Sequence, residues 1–329
     1  MQNISFDDIR NRVSAAAKII VVSHDRPDGD ALGSTLAMGR LLELQGKRVT
    51  LMNADPVPAA LAFLPGAERI GRPETILSAD LIFVLDAGGR KRVSEAVWKV
   101  LPETTPVICI DHHLSHEPFG DFRWVDPSSP ATGQMIAELA EVCGWPLDLS
   151  VAQSLYVAIS TDTGHFRYAS TTGKTLRIVA DLLDQGVNTH RYNVLLNESF
   201  PPRCLDLVEQ ILPMVRRELG GRCLSFRITR DTNERLGLEG DDSNLLVNLL
   251  RSIKGALVTI VFEELADGTI RVSARSKDET LSVATVCEAF GGGGHFLAAG
   301  ARLPGPIETA EERYLAKVDE LFGPLLCQG

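Results

Sequence analysis

The chain has 329 residues, 44% of them hydrophobic and 23% charged, with a formal net charge of −10. That length is generous for one hydrophobic core and comfortable for two domains, and the composition is that of a globular protein. The acidic balance argues against tight binding along a long nucleic acid, which needs a basic surface, but it permits a small phosphorylated ligand held at a few points.

No apolar run approaches the roughly 18 residues needed to span a membrane, so no membrane partner is expected. The opening MQNISFDDIRNRVSAAAKII is acidic early and has no basic stretch ahead of an apolar core, so a secretory signal is not expected. Six scattered cysteines include no CxxC pair. They fit reduced thiols in a cytoplasmic protein, with neither a disulfide framework nor a zinc cluster.

Taken in chain order, the first part alternates strand-like and helix-like segments, the pattern of a mainly parallel sheet flanked by helices. Residues 19–23 read as a strand leading into HDRPDGD, and residues 31–45 as a helix stopped by Gly46. Residues 48–53 read as the next strand, and 81–85 as a strand leading to Asp86. Residues 107–110 form a strand-like run leading to Asp111, His112 and His113. A helix is predicted over 131–143, while the apolar run 151–160, leading to Asp162 in TDTG, fits a buried helix or a strand equally well. Another helix is predicted over 172–184. These features define a first domain over residues 1–186 and a linker over 187–203, rich in Asn and containing Pro201 and Pro202. A smaller α/β domain follows over 204–329, with strands at 223–229, 257–264 and 269–274, helices at 243–253 and 283–290, and the glycine-rich GGGGHFLAAG at 291–300.

Four apolar runs that each hand over to an acid or a histidine suggest one shared site. In open α/β sheets ligands bind beyond the carboxyl ends of the strands. Mixed carboxylate and imidazole donors suit divalent metals such as Mn, Fe or Zn. Pro27 and Gly29 favour a turn, which allows HDRPDGD to aim His24 and Asp28 at one ion and Asp30 at another. A carboxylate such as Asp86, placed after a strongly apolar strand, is costly unless paired or metal-bound. On an extended segment Asp111 and His113 point one way and His112 the other. One imidazole is then left for metal and the other for a substrate phosphate, with Asp111 in support. Each motif alone also fits a solvated turn or a helix end. His116, His165 and His190 receive no metal role, and His116 is expected to be exposed. In the second domain, Gly293 and Gly294 allow close backbone approach to an anion. His295 adds a donor and Arg275 a bidentate fork, although a glycine run by itself also fits a hinge.

In combination, HDRPDGD, Asp86 in VLDAGG, Asp111–His112–His113, TDTGHF and GGGGHFLAAG resemble the DHH phosphoesterase family with its C-terminal DHHA1 domain. The layout is similar to the nano-RNase and pAp phosphatase branch of that family. The resemblance implies two divalent ions, Mn2+ being expected. His24 and Asp28 would bind one ion, Asp30, His112 and Asp162 the other, with Asp86 bridging. His113 would contact the scissile phosphate with Asp111 supporting it, while Arg275, Gly293, Gly294 and His295 would hold the nucleotide. The second motif departs from its relatives, reading DAGGRKR where Thr or Ser and an acid are usual after the Asp. The polar support of Asp86 is therefore in question, with Arg90 left to help position substrate.

The implied reaction is attack of metal-activated hydroxide on phosphorus. It would cleave short RNA oligonucleotides to 5′-mononucleotides, or 3′-phosphoadenosine 5′-phosphate (pAp) to AMP. The alternatives are a soluble phosphodiesterase for cyclic di-AMP or pApA, an exopolyphosphatase or pyrophosphatase, and a non-catalytic nucleotide sensor. A homodimer is compatible with the sequence.

Overall fold

The hydrophobic pattern is realised as β1 (Gln2–Asn3), α1 (Phe6–Ala15), β2 (Lys18–Ser23), α2 (Gly29–Leu44), β3 (Arg48–Met52), β4 (Leu81–Leu85), α3 (Glu95–Val100), β5 (Val107–Asp111), β6 (Phe122–Val125), α4 (Thr132–Cys143), α5 (Leu149–Asp162), α6 (Gly173–Asp184) and α7 (Thr189–Asn197). There follow α8 (Arg203–Ile211), β7 (Arg216–Glu218), β8 (Cys223–Ile228), α9 (Arg230–Leu236), α10 (Asn244–Arg251), β9 (Val258–Glu264), β10 (Thr269–Ser276), α11 (Val283–Glu288), β11 (Gly293–His295), β12 (Ala298–Pro304) and α12 (Ile307–Leu326). This is a computed structural model, which describes residues 2–75, 77–114, 116–239 and 242–326. The chain forms two units, Met1–Ser199 and Phe200–Gly329.

In the first unit the strands run in the order β1-β6-β5-β4-β2-β3, and every pairing is parallel. Residue alternation sends Ile19, Val21, Phe83, Leu85, Ile108 and Ile110 to one face, against α2, α4 and α5. Ile20, Val22, Ile82, Val84 and Cys109 go to the other, with Val93 and Val97. Burial on both faces explains why these strands read as unbroken apolar runs. Each fully buried aliphatic side chain contributes about 1.5–3 kcal/mol of transfer free energy.

The register decides where the polar residues emerge. Ser23 pairs with Leu85, and Leu85 with Ile110. The residues that follow, His24, Asp86 and Asp111, therefore stand together at the carboxyl edge of the sheet, Asp111 as the last residue of β5, paired with Val125. β3 and β4 lie on opposite sides of β2, so the sheet order reverses between β2 and β4, where open α/β sheets form their ligand crevice.

The run 151–160 is helical, part of α5. Asp162 thus arrives from a helix end, and only three of the four apolar runs are strands. The stretch 187–203, read as a linker, contains α7, whose Tyr192 is buried in the first unit's core.

In the second unit the order is β11-β12-β10-β9-β8-β7, parallel only between β8 and β9. One face packs on α11 and α12, with Tyr314 and Phe262 at its centre. The other packs on Leu207 and Ile211 of α8 and Leu246, Val247 and Leu250 of α10.

Candidate metal centre

The geometry begins with two histidines whose ring orientation is set by backbone carbonyls. His24 Nδ1 lies 2.8 Å from the Asp25 carbonyl oxygen, and His112 Nδ1 lies 3.1 Å from that of Ser129. A carbonyl only accepts, so each ring carries its proton on Nδ1 and directs Nε2 elsewhere. His24 Nε2 lies 3.8 Å from Asp28 Oδ1 and 3.5 Å from Asp86 Oδ2. His112 Nε2 lies 3.7 Å from Asp30 Oδ2, 3.5 Å from Asp86 Oδ1 and 3.1 Å from Asp162 Oδ2. Asp86 thus offers Oδ2 to His24 and Oδ1 to His112, with His113 Nδ1 also 3.7 Å from Oδ1.

The donors fall into the groups His24–Asp28–Asp86, Asp30–His112–Asp162 and Asp86–His112–His113, within each of which the ligand atoms lie within 4.8 Å of one another. Donor atoms around a common divalent ion at about 2.1 Å are separated by roughly 3.0–3.5 Å. The observed spacings are close to that, and the donor set is one that divalent transition metals accept.

Electrostatics leads to the same conclusion. Asp30 and Asp86 are buried, with 1% and 2% relative exposure. Burial, together with the charges of Asp86 and Asp162, pushes the Asp30 carboxyl well above its usual range. Burial alone would lower His24, but its contact with Asp86 and the fields of Asp28 and Asp86 outweigh that and raise it to about 9. His112 is likewise raised despite burial, through Asp162, Asp86 and Asp30. For Asp86, burial is opposed by His24, His113 and His112, which hold its carboxyl below the ordinary value. Protons on the imidazoles thus offset the carboxylate charge at positions that suit cations.

Several local features hold this arrangement. Asp28 is the N-cap of α2, accepting from the Asp30 and Ala31 N–H groups at 3.1 and 3.0 Å. Asp86 has φ +56°, a left-handed conformation that Asp tolerates better than most residues, and its N–H still donates to Ile110 O at 2.9 Å. Asn53 Nδ2 donates to Ser23 Oγ and to the His24 carbonyl, fixing the end of β2. The support for Asp86 that its own motif lacks comes from α4, where Thr132 Oγ1 donates to Asp86 Oδ1 at 3.0 Å. The first N–H groups of α4 bind Asp30, Thr132 N at 2.6 Å and Gly133 N at 2.8 Å, and Ser34 Oγ donates to it at 3.0 Å. Thr132 and Gly133 were not singled out from the sequence; their only signal was the small-residue run SSPATG ahead of a predicted helix.

Asp111 meets this donor set at His113. Its Oδ1 accepts from His113 Nδ1 at 2.7 Å and its Oδ2 from His116 Nδ1 at 2.6 Å. Burial raises the Asp111 carboxyl, and the two histidine hydrogen bonds overcome that and lower it. The expectation that His116 is exposed is incorrect: its side chain is 4% exposed and stacks on Phe119. His165 donates to or accepts from Ser160 Oγ at 2.9 Å, and burial lowers it to about 4. Arg90 is half-exposed, ion-paired with Glu95 and placed over the Trp98 ring.

In the second unit the glycine run is a hairpin more than a loop. Gly293, Gly294 and His295 pair with Gly300, Ala299 and Ala298. Gly294 has φ +145°, and a Cβ there would lie 2.6 Å from the Ala298 carbonyl oxygen. Arg275 also pairs with Ala298, so positions 275 and 295 flank one register position. The His295 side chain lies outside the described residues.

Comparison with known proteins agrees with this architecture. The family model described as "DHH family, N-terminal domain" matches residues 18–159, and that of the "DHHA1 domain" matches 225–323. The chain belongs to the DHH family of metal-dependent phosphoesterases, in the form that carries a DHHA1 domain. It is 36% identical over 304 residues to a bifunctional oligoribonuclease and PAP phosphatase NrnA of Thermus thermophilus, covering 92% of this chain and 89% of that one. The protein of the same name from Bacillus subtilis is 30% identical, covering 94% and 96%. A crystal structure of an exopolyphosphatase-related protein from Bacteroides fragilis superposes with a TM-score of 0.90 at 26% identity, covering 98% and 97%.

Proposed function

We propose that the chain hydrolyses short RNA oligonucleotides to 5′-mononucleotides and pAp to AMP, with two divalent ions, Mn2+ by preference. The observation that carries this reading is Asp86, whose two oxygens face His24 and His112 separately. His24 and Asp28 would hold one ion, and Asp30, His112 and Asp162 the other, with Asp86 shared. When bound, such ions lower the pKa of water and stabilise charge on the attacking and leaving oxygens. The chain's own contribution is orientation. Asp111 holds His113 for contact with the scissile phosphate, and Arg275, Gly293, Gly294 and His295 anchor the rest of the nucleotide. Arg90 is assigned a secondary role in positioning substrate.

Support for the substrate class comes from the two relatives named as oligoribonucleases and PAP phosphatases. The net charge of −10 suits a ligand gripped at a few points. No helix among the described residues is long and apolar enough to cross a membrane, in keeping with a cytoplasmic setting. The domain roles follow: residues 1–186 carry the hydrolytic groups, 204–329 bind substrate, and 187–203 connect them.

The test is turnover with Mn2+ on a panel of RNA dinucleotides, pAp, cyclic di-AMP and polyphosphate. The reading expects the highest kcat/KM on dinucleotides or pAp. Preference for cyclic di-AMP or polyphosphate would overturn the substrate class, and binding without turnover would favour a sensor.

A further inference from the structure

Asp111 is shared between two imidazoles, and only one of them is accounted for by the proposed chemistry. His113 has its place at the substrate phosphate. His116 touches none of the candidate ligands among the hydrogen bonds and ion pairs described here, yet it is as well built into the site as they are. Its side chain is 4% exposed. Its Nδ1 lies 2.6 Å from Asp111 Oδ2, and its ring stacks on Phe119 at 5.7 Å between centroids with an interplanar angle of 25°. Phe119 is itself buried and lies in the core behind the sheet. A rigid ring therefore braces one oxygen of a carboxylate whose other oxygen holds His113 at 2.7 Å.

The physical consequence concerns rotation. Asp111 Oδ1 also accepts from the His113 backbone N–H at 3.3 Å, so without His116 both donors sit on one oxygen and the carboxylate can still turn about its last torsion, which is broad and roughly two-fold. With a donor on the opposite oxygen the plane is fixed, and the imidazole bonded to it is fixed as well. Asp111 is 1% exposed, so a lost donor cannot be replaced cheaply by solvent.

We propose that His116 is a positioning residue: acting through Asp111, it fixes the ring of His113 in the orientation used in phosphoester hydrolysis. This rests on the function proposed above. It assigns no metal role to His116, and substrate affinity and metal affinity are independent of it. Outer hydrogen-bond partners of this kind are typically worth about 10–100-fold in activity.

The test compares His116→Asn with His116→Gln in the full-length, Mn2+-loaded protein. The Asn amide nitrogen superposes on imidazole Nδ1 and retains the donor to Asp111; the Gln amide reaches toward the Nε2 position and does not. His116→Asn is expected to keep kcat within about threefold of the original protein and His116→Gln to lose about tenfold or more, with KM and Mn2+ affinity little changed in both. Independently of turnover, nitrogen-15 imidazole spectra recorded with diamagnetic Mg2+ in place of Mn2+ are expected to show His113 fixed as the Nδ1–H tautomer in the original protein and His116→Asn, and averaged between tautomers in His116→Gln. Equal kcat values for the two variants, or equal His113 spectra, would overturn the assignment. An original protein that hydrolyses nothing on the panel would contradict the proposed function instead, while the spectra would still decide the role of His116.

Discussion

Asp86 shows how much chemistry one residue carries here. It leaves a strand buried on both faces, adopts a left-handed conformation and meets three imidazoles, His24 with one oxygen and His112 and His113 with the other. Thr132 steadies it from another element. Thr132→Val keeps the shape and removes that donor, leaving a buried carboxylate oxygen less satisfied, which costs about 1–3 kcal/mol. Urea unfolding is expected to show this loss and Mn2+ titration a weaker affinity; unchanged values in both would remove Thr132 from the site. His24 makes a second prediction. Its ordinary value is 6.5, and in the metal-free protein it holds its proton to about 9. A coordinating ring must be deprotonated, so between these values metal binding displaces that proton. Calorimetric titration near about pH 7.5, in buffers of different ionisation enthalpy, is expected to show net proton release, of which the His24 share fades above about pH 9. Absence of release would exclude His24 as a ligand. The sign for stability follows from the same shift. Because the folded state binds the proton more tightly, the His24 contribution is full below pH 6.5 and disappears as pH rises through about 9.

At the level of elements, the placement of the candidate ligands depends on close packing of α2 and α5. A Cβ at Gly33 would lie 2.5 Å from the Ser154 carbonyl oxygen and 2.9 Å from Ala158 Cβ, and one at Gly133 would lie 2.4 Å from Ala158 Cβ. These glycines let α5 approach α2 and α4, bringing Asp162 at its end to His112. Gly33→Ala gains up to about 1 kcal/mol of helix propensity, but the overpacking costs about 1–3 kcal/mol and is expected to prevail. Thermal unfolding should report lower stability, with reduced turnover as Asp162 shifts; a stabilised and fully active variant would contradict the packing argument. The same element marks the limit of sequence reading. His24, Asp86 and the Asp111–His113 run were legible because polar residues ending apolar strands are costly, so each flagged itself. The run before Asp162 was too short for its period to separate helix from strand. Thr132, Gly133 and His116 were not legible, since their roles arise from contacts that the apolar pattern does not encode. The glycine run gave its composition away but not its pairing with β12, because register depends on the partner strand.

For the whole molecule, two units with separate cores carry a net charge of −10. A substrate held through about one phosphate contact should show a shallow salt dependence, with kcat/KM on a dinucleotide falling about threefold or less between 50 and 200 mM salt. A steep loss would indicate an extended basic track that the composition does not suggest. We propose that the Asp and His cluster holds two divalent ions around Asp86 and that hydrolysis depends on them. The most direct measurement is equilibrium dialysis of metal-free protein against Mn2+, with dinucleotide turnover followed in the same samples for the original chain and Asp86→Asn. The expected result is about two ions per chain with turnover rising as they bind, and fewer ions with turnover down by about a thousandfold in the variant. Turnover that survives metal removal, or an Asp86→Asn protein that binds two ions and hydrolyses normally, would contradict it.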